Sequence, residues 1–324
     1  MPRSQVLTGL KNQRDRAQLR HRLDQKHSKM AVDPRVAMED WLESNIRAKE
    51  VAGVARLDLT AYLRQTGEID LPAQERLRFL AMFLEHEVSS LSLEEWLALD
   101  RIYEAALGLD DEDPWVHHSR AVCAKFFAEG FFRDDEAEPR RRILATAWSA
   151  AFEAARLAPG SADVLYLLGS LAYEDSSRGI PEALRYFEQA TEADPKHPWA
   201  LLYRAHCLQD LERWRDAADA YGEVDPSFFE GSLAWRYEAL LEQRAYCSLR
   251  AGDAEAAADQ FGLFLKRWAT ASEHGRLHLG DYSTQSIVGD PLRTKLWGDL
   301  SALAEQNGWA WLISAMEQVP NNQV

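Results

Sequence analysis

The sequence predicts an all-α chain built as a stack of helix pairs, and three observations lead to that expectation. The frame Arg-Ala-x-Cys occurs three times, at Arg120–Cys123, Arg204–Cys207 and Arg244–Cys247, with starts 84 and 40 residues apart. Its first two copies sit in a longer frame, Pro-Trp-x4-Arg-Ala-x-Cys, beginning at Pro114 and Pro198. Between Asp113 and Trp268, apolar residues recur every three or four positions, and each run stops at Pro or Gly, where a helix cannot easily continue. With a related Leu168-Gly169 segment between the first two copies, the spacing gives unequal units near the length of one helical hairpin each, whose apolar face only a neighbouring hairpin can cover. Hydrophobic residues form 46% of the 324 and aromatics 10%, enough apolar surface for such a stack to bury.

Residues 1–30 carry eight Lys/Arg against two acids, a net +6 with sparse apolar positions, and read as a basic, flexible tail. Residues 31–111 read as an N-terminal helical region: a helix over Val36–Val54, a short one at Leu57–Leu63, and a degenerate hairpin from Leu77–Leu84 and Leu93–Leu107. The array occupies residues 112–268. Its pairs are Trp115–Glu129 with Arg142–Leu157, Ala162–Glu174 with Ile180–Ala193, Pro198–Leu211 with Trp214–Val224, and Leu233–Arg250 with Ala254–Trp268. A charged loop through Asp134–Arg141 is expected inside the first pair. Residues 269–324 read as an irregular loop over 269–290 and then capping helices from Pro291, since a stack must close its last apolar face.

At this level the chain resembles the tetratricopeptide repeat family, whose unit of about 34 residues places Leu-Gly, Ala, an aromatic, Ala and Pro in fixed order. The fullest match is Leu168, Gly169, Ala172, Ala183, Phe187, Ala190 and Pro195. Ala205, Leu208, Ala217, Tyr221 and Pro226 follow in the next unit, then Ala245, Gly252, Ala257 and Phe261. The resemblance covers about Asp113–Trp268 and implies a right-handed superhelical solenoid. In such proteins the first helix of each pair lines a concave groove that holds a protein or peptide. Carried over by position, the groove residues are Trp115, His118 and Lys125; Tyr166, Ser170 and Tyr173; Trp199, Leu202 and His206; and Glu242, Tyr246 and Arg250. The paired Lys and Asn with which some family grooves clamp a terminal carboxylate do not occupy those places. Aromatic anchors at Tyr166, Tyr173, Trp199 and Tyr246 are the alternative, because aromatic residues dominate interface energetics.

The formal charge is −15, and beyond residue 30 it is −21, which repels nucleic-acid backbones. Nucleic-acid binding is therefore expected, if anywhere, at residues 1–30, with Glu50–Leu63 faintly resembling a helix-turn-helix; that arrangement is the alternative reading, a regulator with a nucleic-acid-binding head on a repeat body. Three cysteines at one repeat position predict packing rather than disulfide or metal chemistry. His274 and His278 are four apart, but Gly275 and Gly280 argue against a rigid helix there. No HExxH, Walker A, GxSxG or GxGxxG frame occurs, and no apolar run approaches the roughly 18–20 residues that span a bilayer. The expectation is a non-catalytic scaffold in the cytoplasm, with no cofactor, no metal and no membrane span, binding a protein or peptide.

Overall fold

In the computed structural model, which describes residues 33–45, 58–85, 92–131, 137–175, 177–229, 234–273 and 291–317, every regular element is a helix. The chain divides into two compact units between Asp111 and Glu112.

The first unit holds α1 (Pro34–Asn45), α2 (Leu59–Gln65), α3 (Ala73–Glu85) and α4 (Leu93–Leu107). The helix expected over Val36–Val54 is described only to Asn45, and residues 46–57 lie outside the described set. Asp58 starts α2 by accepting the Thr60 N–H at 2.9 Å, and Ser92 and Glu95 form a capping box at the start of α4. The pair α3–α4 buries Leu77, Leu80 and Ala81 together with Trp96, Leu99, Ile102 and Tyr103. Tyr62 docks α2, its ring edge-on to Trp41 and its hydroxyl donating to the Arg76 carbonyl at 2.6 Å.

The second unit holds α5 (Pro114–Phe131), α6 (Ala137–Leu157), α7 (Ala162–Glu174), α8 (Ile180–Ala193), α9 (Pro198–Asp210), α10 (Trp214–Gly222), a 3-10 turn (Pro226–Phe229), α11 (Ala234–Arg250), α12 (Ala254–Glu273), α13 (Pro291–Asn307) and α14 (Ala310–Glu317). Consecutive helices from α5 to α12 pack as four hairpins, and α6, α8 and α10 each pack on the first helix of the next hairpin. Helix α7 also touches both α5 and α9, so first helices of adjoining hairpins lie side by side. Within this second unit the fold is a stack of helix pairs in which each hairpin rests on its neighbours. On α12 the stack closes with α13 and α14, whose Leu296, Leu300, Ala304, Leu312 and Met316 join Phe261, Phe264 and Leu265 in one core. Burying each such Leu or Phe contributes roughly 1.5–3 kcal/mol of transfer free energy.

The repeated Arg-Ala-x-Cys frame now has a mechanical reading. Arg204 reaches back from α9 to Thr191 on α8, and Arg244 reaches from α11 to the Ala218 carbonyl on α10, so in the last two copies of the frame the arginine straps a first helix to the hairpin before it. Ala121, Ala205 and Ala245 are completely buried, where no larger side chain fits between close helices. Cys123, Cys207 and Cys247 are buried free thiols at one repeat position. The Pro-Trp element before the frame is a helix start. Asp113 accepts the Trp115 N–H at 2.9 Å and His197 accepts the Ala200 N–H at 3.0 Å, while each proline occupies the first turn, where no backbone donor is needed.

Three boundaries differ from the expectation. Helix α6 begins at Ala137, five residues before Arg142, because Pro139 lies in a first turn and costs no hydrogen bond there, while Glu138 pairs with Arg141 and Arg142 across that turn. Helix α12 runs five residues past Trp268, through Ala269–Glu273, a stretch with no helix breaker before Gly275. The stop at Asp225-Pro226 leads into the 3-10 turn, which Asp225 caps by accepting the Ser227 N–H at 2.9 Å. His274 and His278 lie outside the described residues.

Candidate functional site

Helices α5, α7, α9 and α11 contribute the candidate residues, and the side chains between them form an aromatic band bounded by charge. Tyr203 on α9 is the junction, with ring centroids 5.9 Å from Tyr166, 5.7 Å from Tyr173 and 5.6 Å from Phe187. Tyr166 also lies 5.2 Å from His197. The Tyr173 hydroxyl donates to Asp210 Oδ2 at 2.6 Å, joining the ends of α7 and α9. Burial, the largest cause in each case, pushes the Tyr166 and Tyr173 phenols well above their ordinary range, so both remain neutral donors.

A buried polar chain continues from this band. The Tyr221 hydroxyl donates to Gln209 Oε1 at 2.8 Å, and the Cys247 thiol points at the same oxygen at 3.4 Å. Since the phenol proton is committed to Gln209, the His206 Nδ1–H donates to Tyr221 Oη across 2.7 Å. Burial, with the Arg236 charge acting in the same direction, pushes His206 down to about 4 and keeps the ring neutral. Burial likewise pushes the Cys207 and Cys247 thiols up to about 12, leaving them unreactive packing groups.

On α11, Tyr246 meets Trp214 edge-on at 5.7 Å, and Arg250 lies 4.4 Å over the Trp214 ring while donating to the Tyr246 hydroxyl at 2.9 Å. At the α5 side, the buried Lys125 ammonium is held by Glu129 and, at 2.8 Å, by Glu174 of α7. Burial pushes His118 down, opposed by Asp163 nearby.

The twelve sequence-derived positions therefore divide by exposure. Ser170, Leu202 and Glu242 are buried at 4%, 3% and 4% exposure, and Lys125 at 6%, so they offer almost no surface to a partner. Trp115, His118, Tyr166, Tyr173, Trp199, His206 and Tyr246 are half-buried, and Arg250 is exposed. Trp199 is largely committed to packing, edge-on to Phe228 and Phe229 with Arg236 4.8 Å from its ring. Sequence reasoning missed Tyr203, Asp210, Glu174 and the exposed Phe126. Glu129, which holds Lys125, was missed as well, although its spacing of four from Lys125 was a legible signal, since residues four apart share a helix face.

Among the described residues no group of three or more His, Cys, Asp or Glu is placed to hold a metal ion, and no helix is long and apolar enough to cross a membrane. Of the faint helix-turn-helix at Glu50–Leu63, only the part from Asp58 is described, and it belongs to the cap and first turns of α2.

The geometry defines a helical-repeat class, and comparison with known proteins specifies it. Residues 180–243, from α8 into α11, match the tetratricopeptide repeat family, and this stretch carries tetratricopeptide repeats. No curated protein sequence matches the chain. Similar solved structures include Pseudomonas aeruginosa pilF, at 19% identity and TM-score 0.47 over 73% of this chain and 94% of that one. PilW, a type IV pilus biogenesis factor, is similar at 17% identity and TM-score 0.44 over 70% and 99%. TTC0263, a tetratricopeptide repeat protein of Thermus thermophilus, is similar at 16% identity and TM-score 0.36 over 60% and 90%.

Proposed function

We propose that this protein is a non-catalytic scaffold that holds an extended segment of a partner protein along the first helices of its hairpins, from Phe126 on α5 to Arg250 on α11. The observation that carries the reading is the row of half-buried aromatic side chains, Tyr166, Tyr173, Tyr203 and Tyr246, on successive first helices. Tyr173 and Tyr246 are fixed by hydrogen bonds to Asp210 and Arg250, respectively. Rings fixed in advance lose little conformational freedom on contact, so their area converts efficiently into affinity. Phe126 and Arg250 are exposed on first helices, α5 and α11, whereas Phe152 is an exposed aromatic on a second helix.

A photo-crosslinking amino acid placed singly at 126, 250 or 152 in the full chain tests this in cells that produce the protein. The expected result is partner capture from 126 and 250 with little from 152. Capture from 152 alone contradicts the assignment.

A further inference from the structure

We propose that Lys125, Glu129 and Glu174 form a one-proton clasp between α5 and α7, closed while the two carboxyl groups share a proton and loosened when that proton leaves. The basis is a charge imbalance around a buried ammonium. Lys125 is 6% exposed, its Nζ lies 2.8 Å from Glu174 Oε1, and it is ion-paired with Glu129 as well. One ammonium thus faces two carboxylates, which leaves a net charge of −1 around the buried ammonium if both are ionised; Glu129 is half-buried and Glu174 stands at the exposed edge of the cluster.

Arg236 of α11 brings a further positive charge to the neighbouring Tyr166, but it is not among the charges that shift Glu129. On α6, packed beside α5, Glu138, Arg141 and Arg142 pair with one another at the exposed surface, and Arg140 is half-buried in the same region. On α7 the other titratable neighbour is Tyr166, whose phenol is raised further by both carboxylates. The charges acting on Glu129 are those of Lys125 and Glu174.

A proton resolves the imbalance. Protonated Glu129 donates its O–H to the Glu174 carboxylate, Lys125 serves both groups, and the cluster becomes neutral. Burial first, and then the facing Glu174, push Glu129 up to about 7, while Lys125 is held above its ordinary value by the two carboxylates against the cost of burial. A carboxyl group whose folded value lies above its unfolded one stabilises the fold fully below the ordinary carboxylate range, and that contribution is lost as pH rises through about 7. The clasp joins first helices of two consecutive hairpins, so the proton controls how firmly the first repeat is fastened to the second. This does not depend on the identity, or the existence, of a bound partner.

The test uses the full chain. Side-chain carboxyl NMR should show one glutamate titrating near pH 7, and that signal should vanish in Glu129→Gln. Hydrogen exchange at the C-terminal turns of α5 and α7, corrected for intrinsic rates, should rise several-fold between pH 5.5 and 8.5 in the wild type. In Glu129→Gln, whose amide is a permanent donor to Glu174, exchange should stay low throughout. Lys125→Met should move the glutamate midpoint upward by removing the cation. Titration of every glutamate in the ordinary range, or an unchanged pH step in Glu129→Gln, overturns the proposal. Should either variant fail to fold, the wild-type titration decides it.

Discussion

Replacing Phe187 with alanine is expected to lower stability by about 3–5 kcal/mol, the range for deleting a fully buried aromatic side chain. Phe187 on α8 is completely buried, and its ring contacts Tyr166 of α7 and Tyr203 of α9 at 6.0 and 5.6 Å, so one side chain fills the space among three helices. The space is shaped from the other side by Gly169. A Cβ there would lie 2.6 Å from a Phe187 ring carbon, and the ring has nowhere to retreat. Gly169→Ala should therefore cost about 1–3 kcal/mol as overpacking, despite alanine being the better helix former. Gly298→Ala on α13, where nothing lies within 4 Å of the added carbon, should instead stabilise by up to about 1 kcal/mol. Urea unfolding of the three variants checks the set; a cost at Gly298 equal to that at Gly169 contradicts the packing account.

Acidification is expected to weaken the centre of the stack through His206. Its folded value, pushed down to about 4, lies below the ordinary value of 6.5, so the unfolded chain binds more protons between those limits. The contribution is complete above about pH 6.5 and is lost as pH falls through about 4. At roughly 1.4 kcal/mol per unit it amounts to no more than about 3.5 kcal/mol, an upper bound because the residue is only half-buried. His206→Asn should flatten the stability profile over that window in urea titrations at fixed pH values. A profile as steep as that of the wild type would assign the acid sensitivity to other groups. The His206 and Glu129 windows overlap with opposite signs, so each is best read as the difference between variant and parent.

The repeat was legible because its constraints are local. Small residues at Ala183 and Ala217, the Leu168-Gly169 step and the stops at Pro159, Pro195 and Gly252 each follow from helix geometry or close approach, and they place the hairpin pairs to within a few residues. Boundaries failed where composition misled. The charged run at Asp134–Arg141 reads as loop, yet a proline and an acidic residue are tolerated in a first turn, and α6 takes in Ala137–Arg141. The site was less legible for a physical reason. Position along a repeat says which helix face a residue occupies but not how deep the neighbouring hairpin covers it. Leu202 and Glu242 are therefore buried, while Tyr203, one place along, joins the aromatic band. The pairing of Tyr173 with Asp210, 37 residues later, depends on two hairpins meeting and has no local signature.

Amide hydrogen exchange across residues 114–273 of the wild-type chain tests the central claim most directly. The hairpin stack predicts protected helical segments interrupted by fast exchange at the turns around 158–161, 194–197, 211–213 and 251–253. Protection running unbroken through those turns, or absent from α7 to α10, would contradict it.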